Sequence, residues 1–89
     1  MDLLLRVMEN EGDVIPDLMS RIYNSKDDFQ LESNLFSFEV SPIRGTIKIV
    51  DICGLFVPEE AVGNPDLWEQ EYDLSVAVSR IRESSASKT

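Results

Sequence analysis

Eighty-nine residues make one domain, and a chain this short buries only about 60–65 % of the surface its unfolded form exposes. The hydrophobic fraction, 43 %, is that of a globular protein and not of a disordered one. Seventeen acids against eight bases give a formal net charge of −9, which opposes direct binding to nucleic acid or to an anionic membrane and attracts a basic partner.

Residues 2–9 fit two patterns. Leu3, Leu5 and Val7 alternate as in a strand, while Leu3, Leu4, Val7 and Met8 line one face of a helix. Asn10-Glu11-Gly12 ends the element in either case. Asp13 is placed to cap a helix with Pro16 in its first turn. Ile15, Leu18, Met19, Ile22 and Tyr23 then fall at helical spacing, and Asn24 to Asp28 form the polar exit.

Phe29 and Leu31 open a first strand, with Ser33-Asn34 as a kink or bulge after it. The core of the domain is the next stretch, Leu35 to Val57. Phe36, Phe38 and Val40 alternate with polar residues, as do Ile47 and Ile49 beyond the loop. Pro42 presets φ for a turn and Gly45 supplies a left-handed residue, so the stretch reads as an antiparallel hairpin. Arg44 falls at its exposed tip. Gly54 is expected to bend the second strand, with Cys53 as a buried thiol beside it. Asn64 is expected to cap a short second helix that carries Leu67 and Trp68. Tyr72, Leu74, Val76 and Val78 alternate with Asp73, Ser75, Ala77 and Ser79, which favours a last strand, although Leu74, Val78 and Ile81 also share a helical face. Lys48, Arg80 and Arg82 then suit cross-strand pairing with acids.

The reading is an α+β domain over residues 1–83, with a flexible polar tail over 84–89. It has a small antiparallel sheet of three or four strands, one main helix and a short second helix. A strand at residues 2–9 gives the order βαββαβ of ferredoxin-like domains; a helix there gives a helical layer on an antiparallel meander.

The chain has no histidine and one cysteine. That removes the usual general base, the usual zinc ligand, any Ser-His or Cys-His pair and any internal disulfide. No phosphate-binding glycine loop occurs. Glu9, Glu11 and Asp13 lack the glycine and glutamate positions of a calcium loop and read as a solvated turn. These absences point away from an enzyme, a metal site and a cofactor. The N-terminal residues lack the basic region of a signal peptide, and no apolar run approaches the roughly 20 residues needed to cross a bilayer. A cytoplasmic home is expected.

From Ile49 to Ser79 there are seven acids and no base. Glu59, Glu60, Asp66, Glu69, Glu71 and Asp73 are interleaved with Trp68 and Tyr72. Acids steer a basic partner and buried aromatics anchor it, so these eight residues form the candidate partner-binding face. The alternative is that Trp68 and Tyr72 are core and the acids an ordinary solvated loop. Asp27, Asp28 and Glu32 extend the same negative surface if the fold brings them to it.

Three functions fit. The first is a small acidic interaction protein that blocks or escorts a basic protein or complex, of the type of immunity, anti-restriction and anti-CRISPR proteins and nucleic-acid mimics. The second rests on Val7-Met8-Glu9-Asn10-Glu11-Gly12-Asp13 ahead of a helix. Over about a dozen residues this is similar to the strand–glycine–helix opening of ACT domains, and the resemblance implies a homodimeric, ligand-sensing regulatory domain. It requires residues 3–8 to be a strand. The third is an accessory subunit of a larger assembly, with Leu3, Leu4 and Leu5 as its contact.

Overall fold

A computed structural model describes residues 2–54 and 68–86. In chain order it contains α1 (Leu3–Asn10), a 3₁₀ turn (Gly12–Val14), α2 (Ile15–Asn24), β1 (Phe29–Glu32), β2 (Phe36–Ser41), β3 (Thr46–Asp51), β4 (Glu69–Asp73) and α3 (Leu74–Ala86). The four strands form one antiparallel sheet in the order β1-β2-β3-β4. The class is α+β.

The hairpin forms where the sequence places it. Phe38 pairs with Ile49 and Val40 with Ile47, and all four are buried. Gly45 has φ +71°, and its amide bonds Ser41 O at 2.8 Å to close the turn. The kink or bulge expected at Ser33-Asn34 is a turn over residues 33–35 that joins β1 to β2, held by Ser33 N and Oγ on Phe36 O.

The register sorts side chains onto two faces. One face carries Phe29 and Leu31 from β1, Phe36, Phe38 and Val40 from β2, Ile47 and Ile49 from β3, and Tyr72 from β4. Leu3, Leu4 and Val7 of α1, Leu18 of α2, and Ala77 and Ile81 of α3 pack with the buried members of that face as one core. The described helices thus lie in a single layer on one side of the sheet.

Residues 3–10 are a helix, and tertiary contacts explain why. Asp2 caps it, accepting from Leu5 N at 3.3 Å. The first helical amides, which have no partner within the helix, find one on β4: Leu3 N donates to Gln70 Oε1 at 2.7 Å and Leu4 N to Tyr72 Oη at 3.0 Å. The ferredoxin-like order is therefore not the one observed, and the strand that the ACT resemblance requires is absent. Leu3 and Leu4 are fully buried, so they are core residues and not a docking contact; of the three leucines only Leu5 is exposed.

The other corrections are local. The strand read over Tyr72–Ile81 stops at Asp73. Asp73 Oδ1 accepts from Ser75 N at 3.0 Å and from Val76 N at 3.4 Å, and so caps α3. Arg80 and Arg82 thus lie on a helix. α3 runs through Ala86, beyond the 83/84 boundary read from composition, and residues 87–89 lie outside the described ones. Asp13 sits in the 3₁₀ turn and makes no cap; α2 begins behind Val14, with Pro16 in its first turn. Cys53 is exposed, because β3 ends at Asp51 and the chain turns through Gly54 at φ +64°. Among the described residues the strand stops at Asp51, ahead of that glycine, and the stretch read beyond it, residues 55–57, lies outside the described ones. The short helix expected from Asn64 lies outside the described residues, apart from Trp68.

Candidate acidic sheet face

On its second face the sheet presents polar side chains and one apolar one, Val50, and no described helix lies against it. Three rows cross it. Gln30, Glu39, Lys48 and Glu71 stand side by side on β1 to β4. Glu32, Ser37, Val50 and Glu69 form the next row. Ser41, Thr46 and Asp73 form the row at the hairpin end. Alternation along each strand produces this arrangement: the strand residues between them, such as Leu31, Phe38, Val40, Ile47, Ile49 and Tyr72, point into the core.

Within the predicted site, Glu69, Glu71 and Asp73 come together on this face, all exposed. Tyr72 does not join them. It projects from the opposite face of β4 into the helical layer, so the alternative reading of Tyr72 as core is the one observed. Trp68 is half-buried just ahead of β4, with its indole against Gly54. Glu59, Glu60 and Asp66 lie outside the described residues. Asp51, the last residue of β3, is fully buried on the core side of the sheet and contributes nothing to the surface.

The separate acidic group after α2 does reach the same face. Glu32 shares a row with Glu69, and Asp28 lines the same concavity as Glu71. Glu39 belongs to the site and was missed. Its signal was present in the sequence: it points outward between Phe38 and Val40, opposite Lys48. Asp27 is exposed in the turn ahead of β1.

Among the described residues, Lys48 and Arg44 are the cations on this face. Lys48 Nζ lies 3.7 Å from Glu39 and 3.8 Å from Glu69, and the Arg44 guanidinium lies 3.7 Å from Glu71. These are long, water-exposed pairs, each worth little. Arg44, at the hairpin tip, is exposed as expected. The Asp73 carboxyl is held below its ordinary value by the Ser75 hydroxyl first, then by the Val76 and Ser75 amides. It stays ionised while it caps α3. The site therefore offers a set of hydrogen-bond-accepting carboxylates carried by β1, β2 and β4, with the cation Lys48 on β3 between them, which suits recognition of a cation. No cluster of three or more His, Cys, Asp or Glu with metal-site geometry occurs among the described residues.

Behind β4 a second polar group closes the fold. The Tyr72 hydroxyl lies 2.8 Å from both Asp2 Oδ1 and Gln70 Oε1 and donates its one proton to either. Arg80 bonds Asp2 Oδ2 at 2.5 Å and sits over the Tyr72 ring. Burial raises the Tyr72 phenol above its ordinary value, and its bond to Asp2 adds to this.

Compared with known proteins, the chain matches no family model, no curated protein and no solved structure. No helix among the described residues is long and apolar enough to cross a membrane.

Proposed function

We propose that this chain is a small, non-enzymatic interaction protein of the cytoplasm. Its acidic sheet face binds a basic protein or complex and blocks or escorts it, in the manner of immunity, anti-restriction or anti-CRISPR proteins. One observation carries the reading. Acids far apart in the sequence, from Asp28, Glu32 and Glu39 to Glu69, Glu71 and Asp73, come to one face of the sheet. Among the described residues, these six carboxylates stand against two cations, Arg44 and Lys48. Such a field steers a basic surface and rejects an acidic one. Carboxylates at strand spacing then stand where the phosphates of a nucleic acid would, and a nucleic-acid-binding protein or toxin is the partner they suit.

The test is an affinity capture from the native host's lysate, washed at low and at high salt, with wild type beside Glu69→Lys/Glu71→Lys. The proposal expects basic proteins retained at low salt, shed at high salt and lost with the double reversal. A retained set that ignores both salt and charge reversal contradicts it.

A further inference from the structure

At the hairpin end of the acidic face, the sheet carries a concavity of about 420 Å³ that crosses all four strands, with Asp28, Gln30, Glu39, Arg44, Lys48 and Glu71 in its lining. The volume falls within the range of roughly 300–1,000 Å³ of ligand-holding clefts, but the lining is charged and the cleft is open. That combination suits a long, charged side chain presented by a macromolecule better than a small apolar ligand.

Lys48 shows what the concavity holds. Its ammonium already lies between two carboxylates from neighbouring strands, Glu39 on β2, which lines the concavity, and Glu69 on β4, which stands in the next row outside it. Both separations exceed a hydrogen bond, so the pair attracts the ammonium without locking it. Arg44 reaches from the hairpin tip to Glu71 in the same loose way. An ammonium is a compact point charge. A guanidinium is a planar fork that bonds carboxylates two at a time.

We infer that this concavity is the arginine-binding seat of the face, with Lys48 as an internal stand-in that the partner's arginine displaces. The inference rests on the reading of this face as the partner-binding surface. Lys48 tempers the face in the free protein and is the group that selects a forked cation over a simple one. The neighbouring Glu39 and Glu71 accept the incoming guanidinium, while Lys48 moves out to solvent.

The experiment is a calorimetric titration at low salt with an oligo-arginine peptide and an oligo-lysine peptide of equal length, followed by amide chemical-shift mapping. Lys48→Gln removes the stand-in. Lys48→Arg keeps the charge but fills the seat better. Arg82→Gln removes one charge from the helical layer, away from the seat, and so reports the effect of net charge alone. The expected results are tighter binding of oligo-arginine than of oligo-lysine, and a gain of roughly threefold for Lys48→Gln, the size of one surface ion pair. Lys48→Arg weakens binding, Arg82→Gln changes it less than Lys48→Gln, and the shifts gather at Glu39, residue 48 and Glu71. Equal gains from Lys48→Gln and Arg82→Gln, or no loss with Lys48→Arg, overturn the seat and leave the acidic face standing. No binding of either peptide by any variant overturns the face and the seat together.

Discussion

Arg80 on α3 reaches back to Asp2, with Nη2 2.5 Å from Oδ2, and so ties the last helix to the residue that caps the first. Tyr72 of β4 completes the contact through its hydroxyl and through its ring, which lies beneath the Arg80 guanidinium. α1, β4 and α3 are held at this one point, on the side of the sheet opposite the acidic face.

Removing the Asp2 carboxyl separates its roles. Asp2→Ala deletes the cap and the ion pair, and lowers stability by about 1 kcal/mol for the cap, with a small addition for a pair that is half open to water. Asp2→Asn keeps a capping oxygen and loses only the charge. Urea unfolding at neutral pH should rank wild type above Asp2→Asn, and Asp2→Asn above Asp2→Ala. Equal stability of wild type and Asp2→Ala would show that α1 does not depend on this cap.

The same contact sets a pH dependence. Burial alone would raise the Asp2 carboxyl, but bonds from Arg80, Tyr72 and the Leu5 amide outweigh it, and the group titrates below its ordinary 3.8. The unfolded chain therefore takes up this proton more readily than the folded one. The stabilisation is complete above 3.8 and is lost as pH falls through the lower folded value. Tyr72 has the opposite sign. Its phenol is raised above 10.0, so its contribution is complete below that value and is lost as pH rises through the folded one. Stability measured against pH should fall at the acid end with a shallower slope in Asp2→Asn than in wild type. An unchanged acid slope in that variant contradicts the assignment.

Two glycines should respond differently to alanine. Gly45 has φ +71° with open space where a Cβ would stand, so Gly45→Ala costs only backbone strain, about 1–2 kcal/mol. Gly54 has φ +64°, and a Cβ there would meet Trp68 Cη2 at 3.2 Å. Gly54→Ala should therefore cost more than Gly45→Ala and shift the tryptophan emission, which Gly45→Ala should leave unchanged. Unfolding midpoints and fluorescence spectra of the two variants decide this. An unshifted emission in Gly54→Ala would separate Trp68 from Gly54.

Cys53 sits in the exposed turn after β3, with Sγ 3.7 Å from Asn34 O. It should react with a thiol reagent in the native protein at a rate near that of a free thiol, and Cys53→Ser should leave the unfolding midpoint within about 0.5 kcal/mol of wild type. Reaction only on unfolding would return Cys53 to the interior.

The parts legible in the sequence are those in which local signals agree. Phe36, Phe38 and Val40 alternate, Ile47 and Ile49 answer them, and Gly45 supplies the one left-handed residue the turn needs. α2 is legible for the same reason, from Ile15 to Tyr23. α1 is not, because its amides find their acceptors on Gln70 and Tyr72, at the other end of the chain. At α3 two signals compete. Val76 and Val78 favour a strand by alternation, and the helical spacing of Leu74, Val78 and Ile81 favours a helix. The cap and the packing of Ala77 and Ile81 into the core prevail. For the site, the acids themselves were legible, but their faces were not. Tyr72 left the acidic face because it alternates with Glu71 on β4, and Glu39 entered it because the hairpin register sets it beside Lys48.

Under the proposed function, Glu69 and Glu71 bring a basic partner to the sheet by charge. The most direct measurement is the association rate of the captured partner with wild type and with Glu69→Lys/Glu71→Lys, over a range of salt. Association should be slowed about tenfold at low salt by the double reversal, the gap should close as salt rises, and the dissociation rate should change far less. An association rate that is the same in both proteins at low salt would contradict that proposal.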